Sequence, residues 1–131
     1  MKIKIGIIGL GYVGLPLAVA LQKYFKIAAY DSNFEKIEEL KKFNDRNDQF
    51  SRVSLKSAKN INYHKNIKKL ENCNVYILAV PTPVSKSNKP DLSILKKATL
   101  EVCKIISKGD TVIYESTVYP GVTEEICAAI I

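Results

Sequence analysis

The sequence has no tryptophan and only one histidine, one methionine and three cysteines among its 131 residues. His64 has no cysteine or second histidine beside it, and Cys73, Cys103 and Cys127 are widely spaced, so the spacing of a zinc site is missing. Each cysteine has apolar neighbours in the sequence, which favours buried, unreactive thiols. We therefore expect no metal site, and a catalytic role for Cys127 is the less favoured interpretation.

Long apolar runs are also missing. No stretch approaches the roughly 18 to 20 residues that a membrane-spanning helix needs. The chain starts directly with a strand pattern and lacks the basic, apolar and small-residue regions of a signal peptide. We therefore expect a cytoplasmic protein that does not interact with membranes.

Arginine is scarce in a basic chain whose formal net charge is +7. Nearly all the basic residues are lysines, and they are scattered over the sequence. No arginine-rich block or nucleic-acid-binding module is recognisable, so a solvated surface is favoured over a nucleic-acid partner. A weak attraction for anionic ligands such as nucleotides is compatible with this charge.

The chain does contain a regular alternation of strand and helix patterns. Strands are predicted at 2–8, 27–30, 61–63, 75–80 and 111–114. Helices are predicted after positions 14, 31, 91 and 120, and the polar segment 44–59 is predicted to be a loop with one short helix. Ser32 and Glu35 have the spacing of a capping box, and Asp91 can cap the next helix. The alternation predicts an α/β fold with a doubly wound parallel sheet.

Three glycines follow the first strand with the spacing G-x-G-x-x-G, at Gly9, Gly11 and Gly14. This spacing alone is weak evidence, but here it lies between a predicted strand and a predicted helix. Gly9 permits a tight turn, Gly11 lets a pyrophosphate approach the backbone, and Gly14 lets helix and strand pack closely. The arrangement predicts a dinucleotide-binding site.

The predicted site also needs hydrogen-bond donors and an acid. Free amides around Tyr12 and Val13, at the positive end of a helix, suit a pyrophosphate. Asp31 ends the second strand, where it can accept hydrogen bonds from the adenosine ribose and repel the 2′-phosphate of NADP. NAD is therefore the predicted cofactor. The alternative is that the glycines serve packing only and that Asp31 is a solvated strand end.

Four segments carry a resemblance to a known family: "GLGYVGLPLA", "YDSN" followed by Lys36, "ILAVPTPVSKSNKPDLS" and "GDTVIYESTVYPGVTEE". Together they resemble the N-terminal domain of the UDP-glucose/GDP-mannose dehydrogenase family. The branch with the greatest similarity is that of the UDP-N-acetylhexosamine 6-dehydrogenases of bacterial surface-polysaccharide synthesis, including the Vi-polysaccharide type. The resemblance extends over the whole chain.

The resemblance implies roles for further residues. Lys36 joins Asp31 at the adenosine ribose. Val80, Pro81 and Thr82 line the cofactor, and Thr117 lies beside the nicotinamide, where it helps to hold a catalytic water. The alternatives are that Thr82 only ends a strand and that Thr117 is a turn residue.

The sequence also departs from the family pattern. Glu115 replaces a lysine of other branches, in keeping with the N-acetylhexosamine branch, and its role stays open. Asn44 replaces a usual glycine, which suggests a different shape for the loop that follows. Lys86 and Lys89 could approach a substrate, although a solvated surface is favoured.

The implied reaction is the two-step oxidation of the C6 alcohol of a UDP-sugar to a uronic acid, with two NAD molecules accepting hydride. The implied sugar is UDP-GlcNAc, UDP-GalNAc or UDP-glucose. Residues 1–131 would form the N-terminal NAD-binding Rossmann domain, truncated before the family's central helix, catalytic cysteine and substrate domain. We expect a homodimer for the full-length enzyme and an inactive fragment, which is either monomeric or associates artificially.

Two other functions stay open. A nucleotide-sensing module could use the same glycine turn without chemistry, and it would not require the "VPTPV" and "ESTVYPG" segments. A dehydrogenase of the 6-phosphogluconate or hydroxyacid type shares the turn but would have other residues after the fourth and fifth strands.

Overall fold

The computed structural model describes residues 2–116 and 121–131. Within these residues the chain forms five strands: β1 Ile5–Ile8, β2 Ile27–Tyr30, β3 Ile61–His64, β4 Val75–Leu78 and β5 Thr111–Tyr114. The α-helices in the same part of the chain are α1 Gly14–Leu21, α2 Phe34–Lys41, α3 Arg52–Ser57, α4 Ser93–Cys103 and α5 Ala128–Ile130. A 3-10 turn, Ile67–Leu70, precedes β4, and a π-helical segment, Val122–Cys127, precedes α5.

All strand pairs are parallel, and the strand order is β3-β2-β1-β4-β5. The first strand is therefore central, and Ile5 pairs with Ile27 on one side and with Val75 on the other. The direction of winding reverses between β1 and β4, which opens a crevice beyond the carboxyl ends of these two strands. The predicted doubly wound α/β sheet is confirmed.

The core lies on both faces of the sheet because alternate residues of the central strand point to opposite sides. Ile5 and Ile7 join the cluster formed with α1 and α2, whereas Ile8 joins the cluster formed with α4. Tyr76 and Leu78 of β4 belong to this second cluster and are fully buried. A strand that is apolar at every position is thus explained by burial on both faces.

Several predicted boundaries differ from the structure. Residues 2–4 lie outside β1. Strand β4 ends at Leu78, because the residues that follow it line the crevice. Asn33, and not Ser32, caps α2: its side-chain oxygen accepts the Lys36 amide at 3.2 Å. The predicted last helix begins with π-helical turns before α5.

The junction between β1 and α1 is crowded with backbone atoms. Gly9 has a φ of +99°, and a Cβ there would lie 2.7 Å from the carbonyl oxygen of Ala79. A Cβ at Gly14 would overlap the carbonyl oxygen of Gly9. A Cβ at Gly11, in contrast, would have no heavy atom of the described residues within 4 Å. Two of the three glycines are therefore required by packing, whereas the third borders open space.

We predict that Gly14→Ala lowers the free energy of unfolding by about 3 kcal/mol, because the turn must open to admit the methyl group. The matched control is Gly11→Ala, which should change it by less than about 1 kcal/mol. Urea denaturation of the purified chains measures both. Equal losses for the two variants would contradict this account of the turn.

Tyr76 provides a second test of the core. Its hydroxyl is buried and lies 3.0 Å from the carbonyl oxygens of both Leu70 and Cys73, so its single proton is shared between two acceptors. Burial, reinforced by the negative charge of Asp110, raises the pKa of Tyr76 from 10.0 to about 12. The neutral phenol is therefore favoured by the folded state. The contribution of Tyr76 to the free energy of unfolding is complete below pH 10 and is lost as the pH rises towards 12.

Tyr76→Phe should lower the free energy of unfolding at pH 7 by about 1 to 2 kcal/mol, since the buried hydrogen bond of its hydroxyl is lost. It should also make the fall in stability above pH 10 less steep than in the wild type. Tyr24→Phe is the control, because Tyr24 is 80% exposed. Denaturation curves at pH 7 and between pH 9 and 12 provide the measurement. Identical pH profiles for wild type and Tyr76→Phe would refute the assignment.

Candidate functional site: a crevice at the reversal of strand order

The candidate site is a crevice with a volume of about 690 Å³. It lies where the strand order reverses, between the segments that follow β1 and β4. Its lining comes from the glycine turn, the end of β2, the start of α2, the segment after β4, and one face of α4. A crevice at this point of a doubly wound sheet is where such folds bind their ligands.

The glycine turn forms one wall and presents backbone amides. The first hydrogen bond of α1 runs from the Leu15 amide to the Gly11 carbonyl at 3.2 Å, so the amides of residues 11–14 precede the helical ladder. The side chains of Tyr12 and Val13 are exposed, at 70% and 52%. The open space beside Gly11 therefore adjoins backbone donors at the positive end of a helix, a setting that suits a phosphate group.

Asp31 connects the glycine turn to the start of α2. Its Oδ2 accepts the Leu10 amide at 2.8 Å, and its Oδ1 accepts the Asn33 amide at 2.8 Å. Lys36 Nζ lies 3.5 Å from Oδ2, and both side chains are largely buried, with exposures of 18% for Lys36 and 12% for Asp31. A carboxylate oxygen can accept more than one hydrogen bond, so Asp31 retains capacity for a ligand hydroxyl.

Tyr30 lies beside this carboxylate at the crevice. Its backbone carbonyl accepts the Gly9 amide at 2.9 Å, which continues the β1–β2 pairing into the turn. Partial burial, reinforced by the negative charges of Glu101 and Asp31, raises the pKa of Tyr30 above its usual value. Its phenol is therefore a neutral hydrogen-bonding group at physiological pH.

The opposite wall follows β4 and β5. Val80, Pro81 and Thr82 line the crevice, as do Glu115 and Ser116. Ser116 Oγ donates to the carbonyl of Val80 at 2.8 Å, and the Glu115 amide donates to the carbonyl of Leu78 at 2.9 Å. These bonds hold the chain after β5 against the end of β4. Thr117, the predicted catalytic residue, lies outside the described residues.

The charged and amide side chains at the crevice that no sequence pattern indicated are Arg46, Asn47, Lys97 and Glu101. The first two belong to the polar segment that was predicted only as a loop with a short helix. A usable signal was present, because Arg46 is one of just two arginines in the chain. The other two line the crevice from the exposed side of α4, where charged residues are ordinary.

Lys86 and Lys89 lie apart from the crevice lining described above. They belong to a turn in which the Ser85 amide donates to the carbonyl of Lys89 at 2.8 Å, and both residues are exposed. Among the described residues, no group of three or more histidine, cysteine, aspartate or glutamate side chains could hold a metal ion. Within the same residues, no helix has the length and apolar character needed to cross a membrane.

The shape and donor set of the crevice fit a dinucleotide. Open space beside Gly11 accommodates a pyrophosphate that a Cβ would obstruct, and the amides of residues 11–14 match its charge. Asp31 lies at the end of the neighbouring strand β2, where the acidic residue of such folds accepts a hydrogen bond from the adenosine ribose. The segment after β4 then borders the other half of the ligand.

Comparisons with known proteins agree with this fit. Residues 3–131 match the family model described as "UDP-glucose/GDP-mannose dehydrogenase family, NAD binding domain". The chain is 43% identical over 129 residues to UDP-N-acetyl-D-glucosamine 6-dehydrogenase of Pseudomonas aeruginosa, covering 98% of this chain and 31% of that protein. It is 45% identical over 130 residues to the Salmonella typhi enzyme of the same name, covering 99% and 31%.

A solved structure gives the same result. UDP-D-ManNAc dehydrogenase from Pyrococcus horikoshii superposes with a TM-score of 0.85 at 29% identity, over 98% of this chain and 32% of that one. The chain thus spans about a third of the length of the relatives it matches. The resemblance seen in the sequence motifs is confirmed. The chain belongs to the UDP-glucose/GDP-mannose dehydrogenase family, and it forms that family's NAD-binding domain.

Proposed function

We propose that the chain binds NAD along the crevice and serves as the coenzyme-binding part of an enzyme that oxidises the C6 alcohol of a UDP-sugar to a uronic acid. The observation that carries the proposal is the open space beside Gly11, in the same crevice as Asp31 at the reversal of strand order. UDP-GlcNAc is the first candidate substrate, since relatives at 43% and 45% identity are named for the N-acetylglucosamine sugar, and UDP-GalNAc is the second.

In this proposal each wall of the crevice binds one part of the coenzyme. The amides of residues 11–14 hold the pyrophosphate, and Asp31 accepts from the adenosine ribose while Lys36 and the Leu10 amide fix its carboxylate. The segment 80–82 borders the nicotinamide half. Bound NAD supplies the hydride acceptor, and the protein supplies position and charge.

The thiols of the chain do not suit covalent catalysis. Burial raises the pKa of Cys73 to about 11, so little thiolate forms at neutral pH. Cys127 is fully buried, and Cys103 is partly buried with its Sγ 3.6 Å from the carbonyl oxygen of Ile130. We therefore assign the thioester step, which the family resemblance implies, to a cysteine that this sequence does not contain. Thr117 is proposed to hold the attacking water beside the nicotinamide.

We predict that calorimetry of the purified chain with NAD gives weak but saturable binding, and that NADP binds more weakly because Asp31 repels a 2′-phosphate. Gly11→Leu should weaken NAD binding at least about tenfold by filling the space of the pyrophosphate. Thermal melts of the variant confirm that it is folded. NAD binding by a folded Gly11→Leu chain with wild-type affinity would place the coenzyme elsewhere.

The second prediction concerns turnover. The 131-residue chain alone should produce no NADH from UDP-GlcNAc or UDP-GalNAc, whereas a protein that carries the rest of the family's length should. In that longer protein, Thr117→Ala should lower kcat at least about tenfold while the KM for NAD changes little. Thr111→Ala is the matched control, since Thr111 is exposed at the start of β5 and is not part of the crevice lining.

Absorbance at 340 nm measures NADH in each case. Turnover by the 131-residue chain would show that it contains the complete chemistry. Unchanged kcat in Thr117→Ala would remove the assigned role of the threonine while leaving NAD binding untouched.

A further inference from the structure

A buried carboxylate folds the loop between α2 and α3, residues 44–51. Asp45 is only 9% exposed, and its Oδ1 accepts the Asn47 amide at 3.0 Å. Its Oδ2 accepts the amides of Gln49 and Phe50 at 2.8 and 3.1 Å. Three hydrogen bonds from backbone amides to one side chain fix the path of this polar loop. They therefore also fix the backbone position of the residue that follows Asp45.

That residue, Arg46, has a guanidinium whose orientation is also fixed. Its Nε donates to Glu39 Oε2 at 2.9 Å and its Nη2 donates to Glu39 Oε1 at 3.0 Å, a paired arrangement that sets the plane of the group. Glu35 lies at 4.0 Å from Nη2. The Glu39 bond, with smaller contributions from Glu35 and Asp31, raises the pKa of Arg46. The side chain is still one-third exposed.

The exposed part of Arg46 borders the crevice at its Asp31 end. Arg46, Asp31 and Lys36 all line the same space. The loop is also tied to the glycine turn, because Gln49 Nε2 lies 3.4 Å from the carbonyl oxygen of Tyr12. The loop thus forms an outer wall of the crevice, beyond the carboxylate assigned to the adenosine ribose.

We propose that Arg46 is a coenzyme-binding residue that packs its guanidinium plane against the adenine ring of NAD, with Glu39 as its positioning residue. The proposal rests on the proposed function of NAD binding. The edge atoms Nε and Nη2 are engaged by Glu39, which leaves the planar face of the group for a ring. A planar, delocalised cation stacks on aromatic rings, whereas a lysine ammonium at the same place cannot stack.

The test is calorimetry of the purified chain with NAD and, separately, with ADP-ribose, which keeps the adenosine and pyrophosphate but lacks nicotinamide. Arg46→Ala should weaken both ligands by the same factor, about fivefold. Arg46→Lys should lose nearly as much, since charge without a planar face does not restore the contact. Glu39→Gln should give a smaller loss, because it loosens the orientation of Arg46 and keeps the group.

Arg52→Ala is the matched control. Arg52 is the other arginine of the chain, and it lines a separate surface cavity on the far side of the loop. The Arg52→Ala variant should bind NAD and ADP-ribose with wild-type affinity, although it loses the same charge as Arg46→Ala. Thermal melts accompany every variant, and if Arg46→Ala fails to fold, Arg46→Lys carries the comparison.

The outcomes separate this proposal from the one on which it rests. Wild-type affinity in folded Arg46→Ala or Arg46→Lys overturns the adenine contact and leaves NAD binding standing. A loss for NAD without a loss for ADP-ribose also overturns it, because the contact would then lie at the nicotinamide end. Absence of NAD binding by the wild-type chain overturns both proposals.

Discussion

The whole site depends on how closely the start of α1 approaches the end of β1. A Cβ at Gly14 would overlap the carbonyl oxygen of Gly9, and a Cβ at Gly9 would meet the backbone of Ala79, the residue directly after β4. This double approach brings the helix terminus, with the amides that precede its hydrogen-bond ladder, to the edge of the sheet where the strand order reverses. A side chain at Gly9 or Gly14 would move the amides away from the crevice. Packing and ligand binding therefore depend on the same two glycines.

Asp31 extends that constraint to the next strand. By accepting the Leu10 amide it fastens the turn to the end of β2, and by accepting the Asn33 amide it sets the start of α2. One carboxylate therefore serves as a structural link and as a proposed ligand for ribose. Because its orientation is set before any coenzyme arrives, binding requires little rearrangement of this side of the crevice.

The sheet and its ligand crevice could be predicted from the sequence, whereas the outer wall could not. Apolar strands separated by helix patterns determine a parallel sheet, and β2 and β5 match their predicted bounds. The predicted cap of α2 lies one residue too early. Ser32 and Asn33 are both good caps, but the Asn33 amide donates to Asp31 Oδ1, two residues earlier, and the Asn33 side chain accepts the Lys36 amide. The loop around Arg46 is shaped by a buried carboxylate and a contact with Tyr12, which no local pattern reports.

The proposed site requires that the backbone amides of residues 11–14 and the carboxylate of Asp31 bind the same dinucleotide. An NMR titration of the ¹⁵N-labelled chain with NAD tests it most directly, because each backbone amide reports separately. The account predicts that the largest shifts occur at residues 9–14 and 31–36, with smaller ones after β4. Shifts concentrated around the separate cavity at Lys42, Asp48 and Arg52, with the glycine turn unmoved, would contradict it.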